Sequence, residues 1–193
     1  MRNLETPVRK FAVYGAHSSL GSALLYELLT RQHEVLALLD DLNSIAARPG
    51  LRAKLAEPCS AEHVGESVAG CDAVLYLFPR RDGEATELYE VLDGLLTGLP
   101  PVHVQRLILI GDFAGFDGDP ETAAALQRLA LHPLHWTLVD TPDSGFDLSL
   151  DDFLDDLDGR RMSLLRLASG IVDELESPEH IHERVRFHTE SDR

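Results

Sequence analysis

Short apolar runs alternate with helix-like segments along most of this 193-residue chain. The runs are nearly continuous in apolar residues, which is typical of strands that are covered by helices on both faces. Alternation of this kind predicts right-handed crossovers and a parallel sheet. We therefore predict a three-layer α/β fold, a doubly wound parallel sheet forming a single domain over residues 1–193. The predicted strands are 11–14, 35–39, 73–78, 107–110 and 136–139, with a weaker one at 51–55, and the predicted helices are about 20–32, 61–69, 84–98, 121–131 and 163–176.

Composition and charge exclude several classes of function. The formal net charge is −16, and so acidic a chain repels nucleic-acid phosphates and anionic membranes. No apolar stretch approaches the roughly 20 residues that span a bilayer, and the opening MRNLETPVRK lacks the apolar segment of a signal peptide. We therefore expect a cytoplasmic protein that binds neither nucleic acid nor membrane. Cys59 and Cys71 are the only cysteines, and we expect both to be buried or partly buried free thiols.

The segment FAVYGAHSSLGSALLYELL, residues 11–29, joins an apolar run to an amphipathic helix through a glycine-bearing turn. A helix N-terminus offers unpaired N–H groups and a partial positive charge to a pyrophosphate. Gly15 permits the tight turn, Gly21 lets helix and strand pack closely, and the position between them needs little side chain. Ser18 is small there, and its hydroxyl could donate to a phosphate. The turn predicts a dinucleotide site formed by Gly15, His17, Ser18, Ser19, Leu20 and Gly21, although a solvent-facing His17 is the alternative.

Asp40 ends the second predicted strand, where an acidic residue would bind the ribose hydroxyls of NAD. A carboxylate at that place repels a 2′-phosphate, so we expect NAD(H) rather than NADP(H). The alternative is that Asp40 and Asp41 simply cap the next helix.

The stretch FAVYGAHSSLGSALLYELLTRQHEVLALLDD resembles the opening of atypical short-chain dehydrogenases/reductases of the NmrA-like, NAD(P)H-binding branch. Their usual form is GATGxxG, then a helix ending in RGHEV, then a strand. AEPCSAEHVGESVAGCDAVLYLF is similar to the family segment GDxxDxxSLxxALxGxDAV, and LHWTLVDTP is similar to LDWTIVRP. VQRLILIG resembles the fifth strand, and LASGIVDELESPEHIHERVRF the closing helix and strand. The resemblance covers most of the chain and implies a Rossmann-like fold, an NAD(P) site, and a contact between Glu57 and adenine.

The chain also departs from this family pattern. His17 and Ser18 replace Thr-Gly, and Asp40 stands where many relatives have an arginine suited to NADP. These two changes bear on cofactor affinity, and a site degraded by them would hold no cofactor. Asp140 replaces the arginine of IVRP, and the segment 111–113, Gly-Asp-Phe, replaces serines that are common in the family. The change at 111–113 bears on the active site.

An active site in such a fold lies at the carboxyl ends of the strands, near the switch point in strand order. We predict that Phe78 and Pro79 lie beside the cofactor. Asp112 is the only ionisable residue of its turn, so it is a candidate proton donor, with helix capping or turn formation as the alternative. The predicted substrate side is lined by Asp112, Phe113, Thr141 and Pro142.

The wider superfamily uses a tyrosine with a lysine four residues later, because the lysine lowers the tyrosine pKa. None of the four tyrosines here has such a lysine, and the two lysines are Lys10 and Lys54. The resemblance offers two kinds of relative without the pair: flavin or quinone reductases, in which hydride transfer needs mainly proximity and orientation, and dinucleotide sensors without turnover.

An acidic segment, residues 140–158, is inserted near the expected substrate side. Within it, 150–157 has apolar residues at helical spacing, which predicts a helix with one acidic, solvated face. Ligand spacing rules out an EF-hand there. His180 and His182 would lie on one face of a strand as metal ligands, but no third ligand keeps a recognisable spacing with them, so we expect a surface segment and no metal site.

Two functions are compatible with these observations. The first is an NAD(P)-binding oxidoreductase of the NADH-flavin/quinone reductase type that lacks the Tyr-Lys pair. The second is a non-catalytic dinucleotide-sensing regulatory or interaction protein, with the acidic segment as a surface for a protein partner. An oligomer is compatible with either, and a scaffold that has lost its nucleotide is a third hypothesis.

Overall fold

The computed structural model of the protein describes residues 7–78, 85–113, 120–141, 148–154 and 158–187. Strands and helices alternate through these ranges as the sequence predicts. No helix within them is long and apolar enough to cross a membrane. The strands are β1 (Lys10–Tyr14), β2 (Glu34–Leu39), β3 (Leu51–Leu55), β4 (Ala73–Leu77), β5 (Arg106–Gly111), β6 (His135–Asp140) and β7 (Glu183–Val185), and the helices are α1 (Ser19–Thr30), α2 (Ala61–Val68), α3 (Ala85–Gly98), α4 (Pro120–Ala130) and α5 (Gly159–Glu176).

The strands form one parallel sheet in the order β3-β2-β1-β4-β5-β6-β7. The order runs outward in both directions from β1 and β4, which therefore flank the switch point of a Rossmann-like sheet. The predicted fold class is confirmed. The weak strand at 51–55 is real and forms one edge, and the closing strand implied by the family resemblance forms the other.

Helices cover both faces of the sheet, and the alternation of side chains along β1 shows how. Phe11 and Val13 lie in the same core cluster as apolar residues of α1 and α5. Ala12 and Tyr14 lie in the opposite cluster, with apolar residues of α2, α3 and α4. Because both faces of the inner strands are buried, every position of β4 is apolar and buried. This accounts for the continuous runs in the sequence.

The predicted helix over 150–157 is wrong in its described part. The structure has a single 3₁₀ turn at Asp151–Phe153, and residues 155–157 lie outside the described ranges. The Asp152 carboxylate accepts hydrogen bonds from the backbone N–H and hydroxyl of Ser149 at 2.8 and 2.7 Å. Such local side-chain bonds compete with a helix. Leu154, which the helical spacing assigned to the apolar face, is 61% exposed.

The two cysteines also differ from one another. Cys71 is buried as predicted, and burial raises the pKa of its thiol. Cys59 is exposed, contrary to the prediction, because it lies in the turn before α2.

A buried charged network lies at the amino end of β5. The guanidinium of Arg106 donates to the carboxylate of Glu174 at 2.8 Å, and both residues are less than one-tenth exposed. The same carboxylate is 2.8 Å from Nδ1 of His180 and accepts the His180 backbone N–H at 3.0 Å. This network joins the sheet, α5 and the segment before β7. A buried carboxylate is costly unless it is paired, so removing a partner of Glu174 would destabilise the contacts between the sheet, α5 and the segment before β7.

We predict that the network makes stability depend on pH. The hydrogen bond to Glu174 raises the pKa of His180, so its contribution is present below the unfolded value of 6.5 and is lost as pH rises through the higher folded pKa. Burial alone would raise the pKa of Glu174, but the bonds from His180 and its neighbours lower it, so its contribution is lost as pH falls below 4.5. Urea unfolding at several pH values should show a steeper loss of the free energy of unfolding as pH rises above 6.5 in the native protein than in His180→Gln. Equal slopes in the two proteins would contradict this.

Candidate dinucleotide site

The turn between β1 and α1 has no room for side chains at its two glycines. Gly15 has φ +71°, and a Cβ there would lie 2.8 Å from the carbonyl oxygen of Leu77 in the neighbouring strand. A Cβ on Gly21 would lie 2.4 Å from the Gly15 carbonyl oxygen and 2.8 Å from Cα of Ala16. The first turn of α1 therefore rests directly on the backbone of the turn after β1, which leaves bare backbone at the carboxyl end of the sheet.

The hydroxyl of Ser18 makes two hydrogen bonds within this turn. It donates to the Gly15 carbonyl at 2.8 Å and accepts the backbone N–H of Gly21 at 3.1 Å, so Ser18 is the N-cap of α1. The hydroxyl hydrogen is thus directed at the protein and not at a phosphate. Ser18 also occupies one of the N–H groups that a helix N-terminus would otherwise offer to an anion.

The other residues of the turn differ in exposure. Ser19 is buried, and its hydroxyl oxygen accepts the backbone N–H of Leu148 at 2.8 Å, which ties the start of α1 to the segment 148–154. The backbone N–H of Leu20 has no acceptor among the described residues, so it is available to a ligand. His17 is exposed.

The sequence left two alternatives here, ribose binding by Asp40 or capping of the next helix by Asp40 and Asp41, and the structure shows that only Asp41 is a cap. The Asp41 carboxylate accepts the backbone N–H of Asn43 at 2.9 Å and caps the short 3₁₀ helix Leu42–Ser44. Asp40 is exposed directly after β2, and its carboxylate makes no hydrogen bond or ion pair with the described residues. Because β2 lies next to β1 in the sheet, this carboxylate follows the strand adjacent to the glycine turn.

Glu57, for which the family resemblance implies a contact with adenine, already has a partner. Its carboxylate lies 2.9 Å from Nδ1 of His63 in α2, and both side chains are about half exposed. An adenine contact would have to share or replace this exposed pair.

An aromatic ladder lies beyond the turn, on the face of the sheet covered by α2, α3 and α4. The ring centroids of Tyr14 and Tyr76 are 5.4 Å apart, and those of Tyr76 and Phe78 are 4.6 Å apart. Phe78 meets Phe113 edge to face at 5.5 Å. Phe78 is half-buried, whereas Phe113 is only 1% exposed. Phe113 is therefore too buried to line the predicted substrate side directly, and it packs against Phe78.

Asp140 is a site residue whose partner sequence reasoning missed. One carboxylate oxygen accepts the backbone N–H of Phe113 at 2.9 Å, and the other accepts Nη2 of Arg184 at 2.9 Å. This buried carboxylate thus joins the ends of β5 and β6 to β7. The signal in the sequence was the aspartate in place of the family arginine, together with an arginine in the last predicted strand.

The predicted site residues share one feature, since they follow the carboxyl ends of successive strands. Thr141 is buried and donates its backbone N–H to the Gly111 carbonyl at 2.9 Å, whereas Asp112 is exposed. Pro79 and Pro142 lie outside the described residues. By strand, the described residues are Gly15 after β1, Asp40 after β2, Glu57 after β3, Phe78 after β4, Asp112 and Phe113 after β5, and Thr141 after β6.

His180 and His182 do not form a metal site. His182 has φ +63°, so the two residues do not lie in one strand. His180 is bound to Glu174, and Nε2 of His182 lies 2.8 Å from the Leu134 carbonyl. Over the ranges that the structure describes, no group of three or more His, Cys, Asp or Glu side chains could hold a metal ion.

Comparison with known proteins identifies the family. The model of the NAD(P)H-binding family matches residues 15–141, more than half of the chain and the part that carries the glycine turn. The chain belongs to this NAD(P)H-binding family. No curated protein matches the sequence significantly.

Solved structures share the fold at low sequence identity. An oxidoreductase from Lactococcus lactis is 15% identical, with a TM-score of 0.71 over 93% of this chain and 90% of that one. A Rossmann-fold NAD(P)-binding protein from Shigella flexneri is 14% identical, with a TM-score of 0.69 over 95% of both chains. A proposed NADH-flavin reductase from Streptococcus pneumoniae is 21% identical, with a TM-score of 0.62 over 92% of this chain and 98% of that one. These proteins show the fold that this family member adopts.

We predict that Ser18 weakens dinucleotide binding while it stabilises α1. Ser18→Gly releases the Gly21 N–H for a phosphate and should tighten NADH binding about tenfold. It should lower the free energy of unfolding by only a few tenths of a kcal/mol, because glycine is a tolerable N-cap.

Ser18→Ala is the matched control. It also frees the Gly21 N–H but keeps a methyl group in the turn, and it should cost about 1 kcal/mol of stability. Calorimetric titration with NADH and urea unfolding measure the two effects. Unchanged NADH affinity in Ser18→Gly would show that the hydroxyl does not compete with the phosphate.

Proposed function

We propose that the protein binds NADH and passes a hydride to a small planar acceptor, a flavin or a quinone, without a tyrosine–lysine pair. The observation that carries this proposal is the bare glycine turn with the carboxylate of Asp40 beside it. Membership of the NAD(P)H-binding family supports a dinucleotide, and the residues at the carboxyl ends of the strands support the choice of NADH and of its acceptor.

The residues of the turn fit a dinucleotide. Bare backbone at Gly15 and Gly21 allows close approach, and the Leu20 N–H at the start of α1 is available to a pyrophosphate. Asp40 would accept hydroxyls of the adenosine ribose. When bound, NADH supplies the hydride.

The charge of Asp40 supports NADH over NADPH. The carboxylate is exposed and unpaired among the described residues, so nothing described there offsets its negative charge. A 2′-phosphate at that ribose would face a like charge at close range. The chain therefore has carboxylate oxygens that can accept from the ribose hydroxyls, where an NADP-binding relative would have an arginine.

The tyrosines and lysines do not support acid–base chemistry of the usual superfamily type. Burial, with the Cys71 thiol nearby, raises the pKa of Tyr14, whereas a catalytic tyrosine needs a lower one. Lys54 donates to the Ser67 carbonyl of α2 at 3.0 Å, and Lys10 starts β1 at the opposite end of the strands. Transfer to a flavin or quinone needs mainly proximity and orientation, which Phe78 on its aromatic ladder can support. The likeness to a proposed NADH-flavin reductase is in keeping with this acceptor class.

The second candidate is a dinucleotide sensor without turnover. It is favoured by the Asp140–Arg184 pair, in which the buried carboxylate and the exposed guanidinium at the proposed acceptor side satisfy one another. Neither then offers an unpaired acid or base to a substrate. In such a sensor the acidic segment serves a protein partner.

We predict that NADH binds more tightly than NADPH and that Asp40 sets this preference. Asp40→Asn should weaken NADH binding about tenfold, because the ribose hydroxyls then donate to a neutral acceptor in place of a charged one. The ratio of the NADPH dissociation constant to the NADH dissociation constant should fall accordingly. Asp41→Asn is the matched control, since it makes the same charge change one residue away at a carboxylate that caps a 3₁₀ helix. Its cofactor ratio should stay as in the native protein. Calorimetric titration of the native protein and both variants with NADH and NADPH measures these affinities, and a native preference for NADPH would overturn the assignment of Asp40.

Turnover separates the two candidate functions. With NADH bound, oxidation at 340 nm is followed in the presence of FMN, FAD or a soluble quinone. We expect NADH consumption that depends on the acceptor and falls in Asp40→Asn through a higher KM for NADH. Tight NADH binding with no consumption across these acceptors would favour the sensor.

A further inference from the structure

A cavity of about 290 Å³ opens at the amino edge of β1, β2 and β3. It lies at the opposite end of the strands from the glycine turn, about 16 Å away along β1. Its volume is at the lower end for small-molecule sites. Neither the proposed function nor the family match uses this cavity.

Cations dominate the cavity although the chain as a whole is strongly acidic. Lys10, Arg48 and Arg52 line it together with a single carboxylate, that of Glu34. The register explains the grouping, because Lys10 pairs with Glu34 and Arg52 lies one strand further out, beside Leu36. Arg48 is paired with Asp151, so Lys10 and Arg52 supply the excess of positive charge over Glu34, in a chain with a net charge of −16.

A tight turn fixes the two arginines on either side of this cavity. The backbone N–H of Leu51 donates to the Arg48 carbonyl at 3.1 Å across Pro49 and Gly50. Gly50 has φ +78°, so Pro-Gly occupies the central positions of a type II turn, which favours those two residues. The backbone that carries Arg48 and Arg52 is therefore ordered before any ligand arrives.

The guanidinium of Arg48 is incompletely satisfied. Its Nη2 donates to Asp151 at 2.5 Å, and the side chain is 21% exposed. Its Nε is buried and has no acceptor among the described residues. A buried donor without an acceptor is costly. The Arg48 side chain also lines the cavity, so a shift of the guanidinium toward an oxyanion there would give Nε an acceptor.

We propose that this cavity binds a small oxyanion, the phosphate or carboxylate group of a metabolite, independently of the dinucleotide. Arg48 and Arg52 hold the oxyanion with Lys10, and Glu34 accepts a hydroxyl or amino group of the same ligand. Charges on an edge strand also discourage edge-to-edge pairing, and Arg52 on β3 would serve that purpose without any ligand. The unsatisfied Nε of Arg48, which is not on the strand edge, is what favours a ligand.

Nuclear magnetic resonance titration tests the proposal on the full chain at low ionic strength. Inorganic phosphate and citrate are the two probes, and they separate a phosphate site from a carboxylate site. We expect saturable shifts of the backbone amides at residues 48–52 with at least one probe. Arg52→Gln should weaken that binding about tenfold, and Glu34→Gln should strengthen it because a repelling charge is removed.

Arg166→Gln is the control, since Arg166 is an exposed cation of α5 that does not line the cavity. Its affinity for the probe should equal that of the native protein. Arg52→Gln leaves the Arg48–Asp151 pair in place, so a loss of binding there does not reflect that contact. Shifts confined to residues 15–21, shifts that do not saturate, or equal weakening in Arg52→Gln and Arg166→Gln would each overturn the proposal. Shifts confined to residues 15–21 would place the anion at the dinucleotide turn, whereas the other two outcomes do not bear on NADH binding.

Discussion

The direct contact between α1 and the backbone after β1 determines what this protein can bind. With only hydrogen at Gly21, the helix rests on the Gly15 carbonyl and on Ala16. That contact aims the start of α1 at the carboxyl edge of the sheet and leaves no side chain between helix and ligand. The far end of α1 is held by Arg31, which bonds to Asp173 and Glu176 of α5. The α1–α5 layer is thus positioned by the close approach at Gly21 at one end of α1 and by the Arg31 ion pairs at the other.

Ser18 shows that helix capping and phosphate binding compete for the same backbone N–H groups at the start of α1. An N-cap side chain satisfies an N–H that would otherwise be unpaired, and a phosphate does the same when it binds. A glycine at this position has no side chain to accept that N–H and would leave it to a ligand. In this chain the protein satisfies it permanently, so α1 does not depend on a cofactor for its first turn.

The sheet and its helices could be predicted from the sequence because inner strands that are buried on both faces consist of continuous apolar runs. The signal was weak at β3, since Arg52 to Leu55 are exposed at an edge. It failed at 150–154, where the bonds between Ser149 and Asp152 outweigh helical spacing. The turn at Gly15 and Gly21 could be predicted because its requirement is local. The pairing of Asp140 with Arg184 could not, because it joins residues 44 apart that only the finished sheet brings together.

The last strand, β7, is attached in a different way from the rest of the sheet. Two of its three residues are exposed, so apolar burial holds it only through Val185. Two ion pairs also hold it. His180 is bound to Glu174 just before the strand, and Arg184 is bound to Asp140 within the strand. Dissolved salt weakens such pairs where water reaches them and leaves apolar contacts intact. Ionic strength therefore acts on this edge of the sheet selectively, and through Asp140 it reaches the backbone of Phe113 beside the proposed acceptor side.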